Sequence, residues 1–150
     1  MTRGSGEQRW DPGRYLAERF PDMRVVEAVL PGRVQGAVDH EERIIWLDAG
    51  LSPAARRSTL AYEIAQLQQG PTPGDPCLAA AHQRDAAEWA SRMLIDSPAL
   101  FEAFESCREY REVAAQLGVD IPTVRARLRA MSDAEQDEVF AAILRQRLTA

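Results

Sequence analysis

Arg57-Ser58-Thr59-Leu60-Ala61-Tyr62-Glu63-Ile64-Ala65-Gln66-Leu67 is the stretch on which the reading of this chain turns. Leu60, Ile64 and Leu67 recur at i, i+4 and i+7, the spacing of one face of an α-helix. Thr59, Tyr62, Glu63 and Gln66 fall on an adjoining stripe. Ser52-Pro53 supplies a start signal upstream, and Gly70 followed by Pro71 supplies a stop. Taken alone, this is an amphipathic helix with one apolar face and one mixed polar stripe that carries a carboxylate. Its place in the chain gives it more meaning, because β-prone segments precede it and helical ones follow.

Working outward, segment 1–9 reads as a flexible tail. Asp11-Pro12 opens a short helix to about Phe20, with Trp10, Tyr15 and Phe20 as its core contacts. Three β-prone runs follow, Arg24 to Leu30, Arg33 to Val38 and Arg43 to Leu47. Pro31-Gly32 and Asp39-His40-Glu41-Glu42 punctuate them, which predicts an antiparallel three-stranded meander. Beyond Gly70 come a long helix from Cys77 to Ile95, one from Ser97 to about Cys107, and three more over Glu109–Leu117, Ile121–Met131 and about Asp133–Leu148. On the last, Val139 and Ile143, with Phe140 and Leu144, form an apolar face suited either to the core or to a partner. Strands first and helices after predicts an α+β fold. With 150 residues the expectation is a single domain over 10–150, with a core at 10–95 and a helical part at 96–150.

No apolar run reaches the ~18 residues of a membrane span. Residues 1–8 are polar, without the apolar core of a secretory signal, so a cytoplasmic location is expected. The net charge of −5 argues against broad binding to nucleic acid. All 18 basic residues are arginine, which we read as a coding bias rather than as chemistry. Cys77 and Cys107, the only cysteines, are expected as free thiols in that compartment.

The helix has a further reading. Its sequence resembles the pattern R-x-T-L-A-H-E-x-A-H-L of a zinc metallopeptidase helix. Upstream, Ile45-Trp46-Leu47-Asp48 and Leu51-Ser52 are similar to the strand and loop that lead into such a helix. Downstream, Arg84-Asp85-Ala86-Ala87-Glu88-Trp89-Ala90-Ser91-Arg92-Met93-Leu94-Ile95 resembles E-x-x-A-D-x-F-A-x-x-L-L. In order and spacing, residues from about Arg24 to Met131 resemble the ImmA/IrrE-type metallo-endopeptidases. That resemblance implies a zincin-like helix pair, a zinc cofactor, and Glu63 as the general base acting on a metal-bound water.

The departures fall on the chemistry. Tyr62 and Gln66 stand where the family has its two histidine ligands. The third ligand position falls on Gln83, with Ala87 in place of an acidic neighbour, or on Asp85 if the alignment shifts by two. Zinc is held by imidazole, thiolate or carboxylate; an amide oxygen is a feeble donor, and a phenol must first ionise from ~10. The resemblance therefore implies zinc while the residues predict that none is held tightly, which leaves Glu63 a vestigial base. Tyr62 and Gln66 can instead hydrogen-bond to each other, or to Gln83, and fill the metal's place. Two rescues remain open. One is an improvised site from His82, His40 and Cys77 with Asp85 or Glu63. The other is hydrolysis by Glu63 alone, which lacks the electrophile or nucleophile that amide cleavage needs.

Glu112 to Leu128 reads as a helix-turn-helix, with Leu117, Gly118, Val119 and Val124 at fitting positions. Arg125, Arg127 and Arg129 on its second helix can meet DNA phosphates or a partner. Against DNA reading, the next segment, Asp133 to Glu138, is acidic. The resembled family also carries a similar pair, A-x-x-F-G-V-S-x-x-x-V-x-x-R-L, packed on its core, so packing is the preferred reading. The expectation is a degenerate peptidase fold that binds a helix-turn-helix transcriptional regulator without cutting it, in stress or mobile-element control. The rivals are an active metallo-endopeptidase with unusual ligands that cleaves such a repressor, and a DNA-binding regulator that uses the final helices.

Overall fold

A computed structural model describes residues 9–149. Of the expected tail only Arg9 is among them; residues 1–8 lie outside the described part. The elements run α1 (Pro12–Arg19), β1 (Arg24–Ala28), β2 (Gly36–Asp39), β3 (Ile44–Asp48), α2 (Pro53–Gln69), α3 (Pro76–Leu94), α4 (Ser97–Ser106), α5 (Tyr110–Leu117), α6 (Ile121–Arg129) and α7 (Asp133–Leu148). The fold is α+β, as the order of segments predicts.

Most helices begin where cap chemistry places them. Asp11, Ser52, Asp75, Asp96 and Asp120 each accept a hydrogen bond from a backbone N–H of the first turn, with proline just inside the helix. Ser132 and Glu135 form a reciprocal capping box at the start of α7.

The sheet departs from the predicted meander. Its order is β1-β3-β2, with β1 parallel to β3 and β2 antiparallel to it. The β2–β3 turn behaves as expected. Asp39 Oδ1 accepts the N–H groups of Glu41 and Glu42, and Arg43 closes the turn at φ 58°. The remaining link, 29–35, is too long for a tight hairpin, which frees β1 to pair on the other side of β3. Burial supplies the reason. Ile44, Ile45 and Leu47 of β3 are all buried, and the central position covers such a strand on both edges. Asp48 fixes the far end of this pairing by accepting the Leu30 N–H at 2.9 Å.

Two apolar clusters meet at α2. Leu60, Ile64 and Leu67 pack with Leu16, Met23, Ile45 and Leu47 beneath the sheet. Ala61 faces the other cluster, built from α3 to α7 around Leu94, Ile95, Leu100, Val113 and Val124. Trp10, Tyr15 and Trp89 stack at the seam with ring centroids 5.5–6.0 Å apart. A helix covered on several sides is held rigidly, so its polar stripe is rigidly placed as well.

The α5–α6 pair is fastened to this core. Gly118 takes the left-handed conformation (φ 67°) that ends α5. Arg57 donates to the Gly118 carbonyl at 3.0 Å, Arg9 donates to the Gln116 carbonyl at 2.9 Å, and the Asp120 N–H donates to Ser58 Oγ at 3.1 Å. On α7, Val139 and Ala142 are buried, whereas Phe140, Leu144 and Leu148 are exposed. Cys77 and Cys107 are both free thiols. No helix among the described residues is long and apolar enough to cross a membrane.

Candidate functional site

The polar stripe of α2 opens into a cleft of about 330 Å³. Thr59, Tyr62 and Glu63 form its floor, Gly36 of β2 one wall, Ala87 and Ala90 of α3 another, and the Asp120–Ala126 segment of α6 its roof. Gly36 lets the strand approach. A Cβ there would lie 2.9 Å from Thr59 Cγ2, 3.0 Å from Glu63 Cγ and 3.1 Å from the Trp46 carbonyl oxygen.

Glu63 is only 6% exposed. Burial alone pushes its carboxyl up to about 7, with no hydrogen bond or opposite charge to offset it. Its neighbour Tyr62 is tied along the helix, where Gln66 Nε2 donates to Tyr62 Oη at 2.7 Å. Burial raises the Tyr62 hydroxyl above its ordinary value, and the Glu63 carboxylate adds to this against the lowering effect of the Gln66 bond. The phenol is thus held away from ionisation.

On α3, Gln83 lies one turn before Ala87 and is exposed, outside the Tyr62–Gln66 bond. Asp85 points elsewhere, into a separate groove shared with Gln68, Gln69 and Arg92. His82 is half-buried with both ring nitrogens unpaired, Cys77 is exposed at the start of α3, and His40 sits in the β2–β3 turn. Among the described residues no three His, Cys, Asp or Glu side chains are grouped so as to hold a metal ion, and the improvised set is not gathered.

The model of the IrrE N-terminal-like domain matches residues 21–129, from the turn before β1 to the end of α6. The chain belongs to this family. It matches no curated protein and no solved structure.

For an IrrE N-terminal-like domain the implied group is zinc, and the residues around Glu63 do not fit it. Tyr62 Oη already accepts a bond and is kept protonated, Gln66 offers an amide, and α3 turns alanines toward the cleft. None of these is a strong zinc donor.

The helix-turn-helix arginines separate. Arg125 and Arg129 are exposed on α6. Arg127 does not face DNA or a partner, because it is 5% exposed and its Nε and Nη2 are bonded inside the fold, while its Nη1 is buried without a hydrogen-bond partner among the described residues. Its Nε donates to the Ile95 carbonyl at 2.9 Å, and its Nη2 to Ser97 Oγ at 3.2 Å and to Glu135 Oε2 at 2.5 Å. Burial opposes a charge on Glu135, yet the bonds from Arg127, Ser97 and the Ser132 backbone prevail and hold its carboxyl at about 2. Sequence reasoning missed the other walls of the cleft, Gly36, Asp120 and Thr123. Asp120-Ile121-Pro122 reads as a helix start, but nothing local signals that this start returns over α2.

Proposed function

We propose that this protein is a non-catalytic member of its family, a pseudo-peptidase that binds a helix-turn-helix transcriptional regulator and acts on it without cleavage. The observation that carries the reading is the Tyr62–Gln66 hydrogen bond. It joins the two positions that correspond to the family's histidine ligands, while Glu63 stays intact and buried beside them. A general base without an activated water has no hydroxide to generate. A retained cleft with altered donors suits recognition better than turnover. The role in stress or mobile-element control follows from the family alone.

The test is metal content by elemental mass spectrometry, before and after equilibration with zinc, with Glu63→Gln as control, followed by capture of regulators from a lysate. Near-zero zinc together with an intact captured regulator supports the proposal. Close to one zinc per chain, or a cleaved regulator, restores the active metallo-endopeptidase in its place.

A further inference from the structure

We propose that the cleft beside Glu63 is a receptor for a basic side chain, lysine or arginine, presented by a protein partner. This rests on reading the cleft as a binding site rather than a catalytic one, and it adds the chemistry of what is bound.

Three features support it. Glu63 is more than nine-tenths buried as a residue, lines the cavity, and its carboxyl accepts no hydrogen bond from the described residues. A buried carboxylate without a partner is costly, and a charge-assisted bond from a cation would satisfy it. On the roof stands a second carboxylate, Asp120. Its Oδ1 is occupied by the Thr123 N–H at 3.0 Å and Thr123 Oγ1 at 2.5 Å, while Oδ2 takes no part in these bonds. With the two acids, Ala87, Ala90, Ala126 and Pro122 give the cleft small apolar surfaces beside the polar Thr59, Tyr62 and Thr123.

A lysine or arginine side chain matches this arrangement along its length. Its methylenes would lie on the alanines and its charged head would reach the carboxylates. The volume of about 330 Å³ lies at the small end of ligand pockets and suits one side chain rather than a folded segment. Among the described residues Arg33 is the one cation lining the cleft, and it is exposed. An anionic ligand would meet two carboxyls, and a purely apolar one would leave Glu63 unpaired. The net charge of −5 favours approach by a basic partner.

The experiment is an amide NMR titration of the full chain with Nα-acetyl-lysine amide and Nα-acetyl-arginine amide, with the norleucine and glutamine amides as controls. The expected result is saturable shifts at Thr59 to Glu63, Ala87, Ala90 and Asp120 to Thr123 with the basic probes. The norleucine amide should bind at least about ten-fold more weakly, a difference of about 1.4 kcal/mol. Glu63→Gln keeps the shape of the protonated acid and so should keep the fold, but it should lose the lysine response by a similar factor. Asp120→Asn preserves the helix cap and should weaken binding as well.

Equal binding of norleucine and lysine, or no saturable shift in the cleft, overturns the assignment. Regulator capture separates this proposal from the one before it. If wild type and Glu63→Gln capture a regulator equally, the binding function stands and the side-chain receptor falls. If the lysine probe saturates the cleft while no regulator is captured, the receptor stands and the proposed partner falls.

Discussion

Glu63 is a carboxyl that the fold keeps from charging, and the consequence for stability has a definite sign. In the unfolded chain it ionises near 4.5, whereas in the fold it holds its proton to about 7. Below 4.5 both states are protonated and the site costs nothing. As pH rises from 4.5 to 7 the folded state alone retains the proton, and stability falls. Glu63→Gln should therefore leave stability unchanged at pH 4 and raise it by roughly 3 kcal/mol at pH 8, as read by urea unfolding. An equal effect at both pH values would mean that Glu63 is not buried as described. Glu135 has the opposite sign. Its carboxyl sits at about 2, so its stabilisation is complete above 4.5 and is lost as pH falls through 2. Arg127→Ala removes the partner and strands Glu135 and the Ile95 carbonyl, so it should cost about 3 kcal/mol. The same substitution should also flatten the acid limb of the stability profile. In the sequence, Arg127 is indistinguishable from Arg125 and Arg129. Only the packing of α6 against α3, with the bonds to Ile95, Ser97 and Glu135, turns it inward, and a helix-turn-helix pattern carries no record of that.

Elements were legible to different degrees, and the difference is local against non-local. An Asp-Pro or Ser-Pro pair opens a helix through its own cap bonds, so the starts of α1 and α2 could be read directly, and in α4 and α6 the capping Asp96 and Asp120 stand two residues ahead of the proline. The partner of a strand depends on residues far away. Turn chemistry fixed the β2–β3 hairpin, yet nothing within Arg24–Ala28 says that it joins the opposite edge of β3 in parallel. The stripe of Thr59, Tyr62, Glu63 and Gln66 was readable from helical spacing alone, whereas the strand that closes over it was not. That closure depends on Gly36. A valine there would drive its Cβ against Thr59, Glu63 and the fixed Trp46 carbonyl, and backbone yields less readily than a side-chain tip. Gly36→Val should destabilise the protein by about 2 kcal/mol in thermal or urea unfolding. It should also shift the amide resonances of Tyr62 and Glu63, because β2 must move off α2. A neutral outcome in both measurements would show that the contact between strand and helix is slack.

For the whole molecule, the question is whether this family member lost its frame or only its ligands. The frame has α2 packed on the sheet with α3 beside it, and α6 packed on α3 with α5 against α6. α2 is buried between two apolar clusters, and the α5–α6 turn is fastened to its second turn through Arg57 and Ser58. On the proposed reading, what differs is the donor set on that frame. Tyr62 and Gln66 remain one turn apart on α2, and Gln83 sits one turn from the cleft residue Ala87, whereas Asp85 lines a different groove. If the geometry survived and only the donors went, restoring three donors should restore a metal. The triple variant Tyr62→His, Gln66→His, Gln83→Glu should then bind about one zinc per chain and gain several degrees in unfolding midpoint when zinc is added. The double histidine variant lacks the third donor, and zinc should bind it at least about 100-fold more weakly and hardly move its midpoint. The wild-type midpoint should not respond to zinc or to chelator, because a metal stabilises only a fold that binds it. A triple variant that folds but stays metal-free would place the loss in the frame, with α2 and α3 set too far apart for one ion to reach both. A wild-type response to zinc would mean that the donors lie elsewhere in this chain.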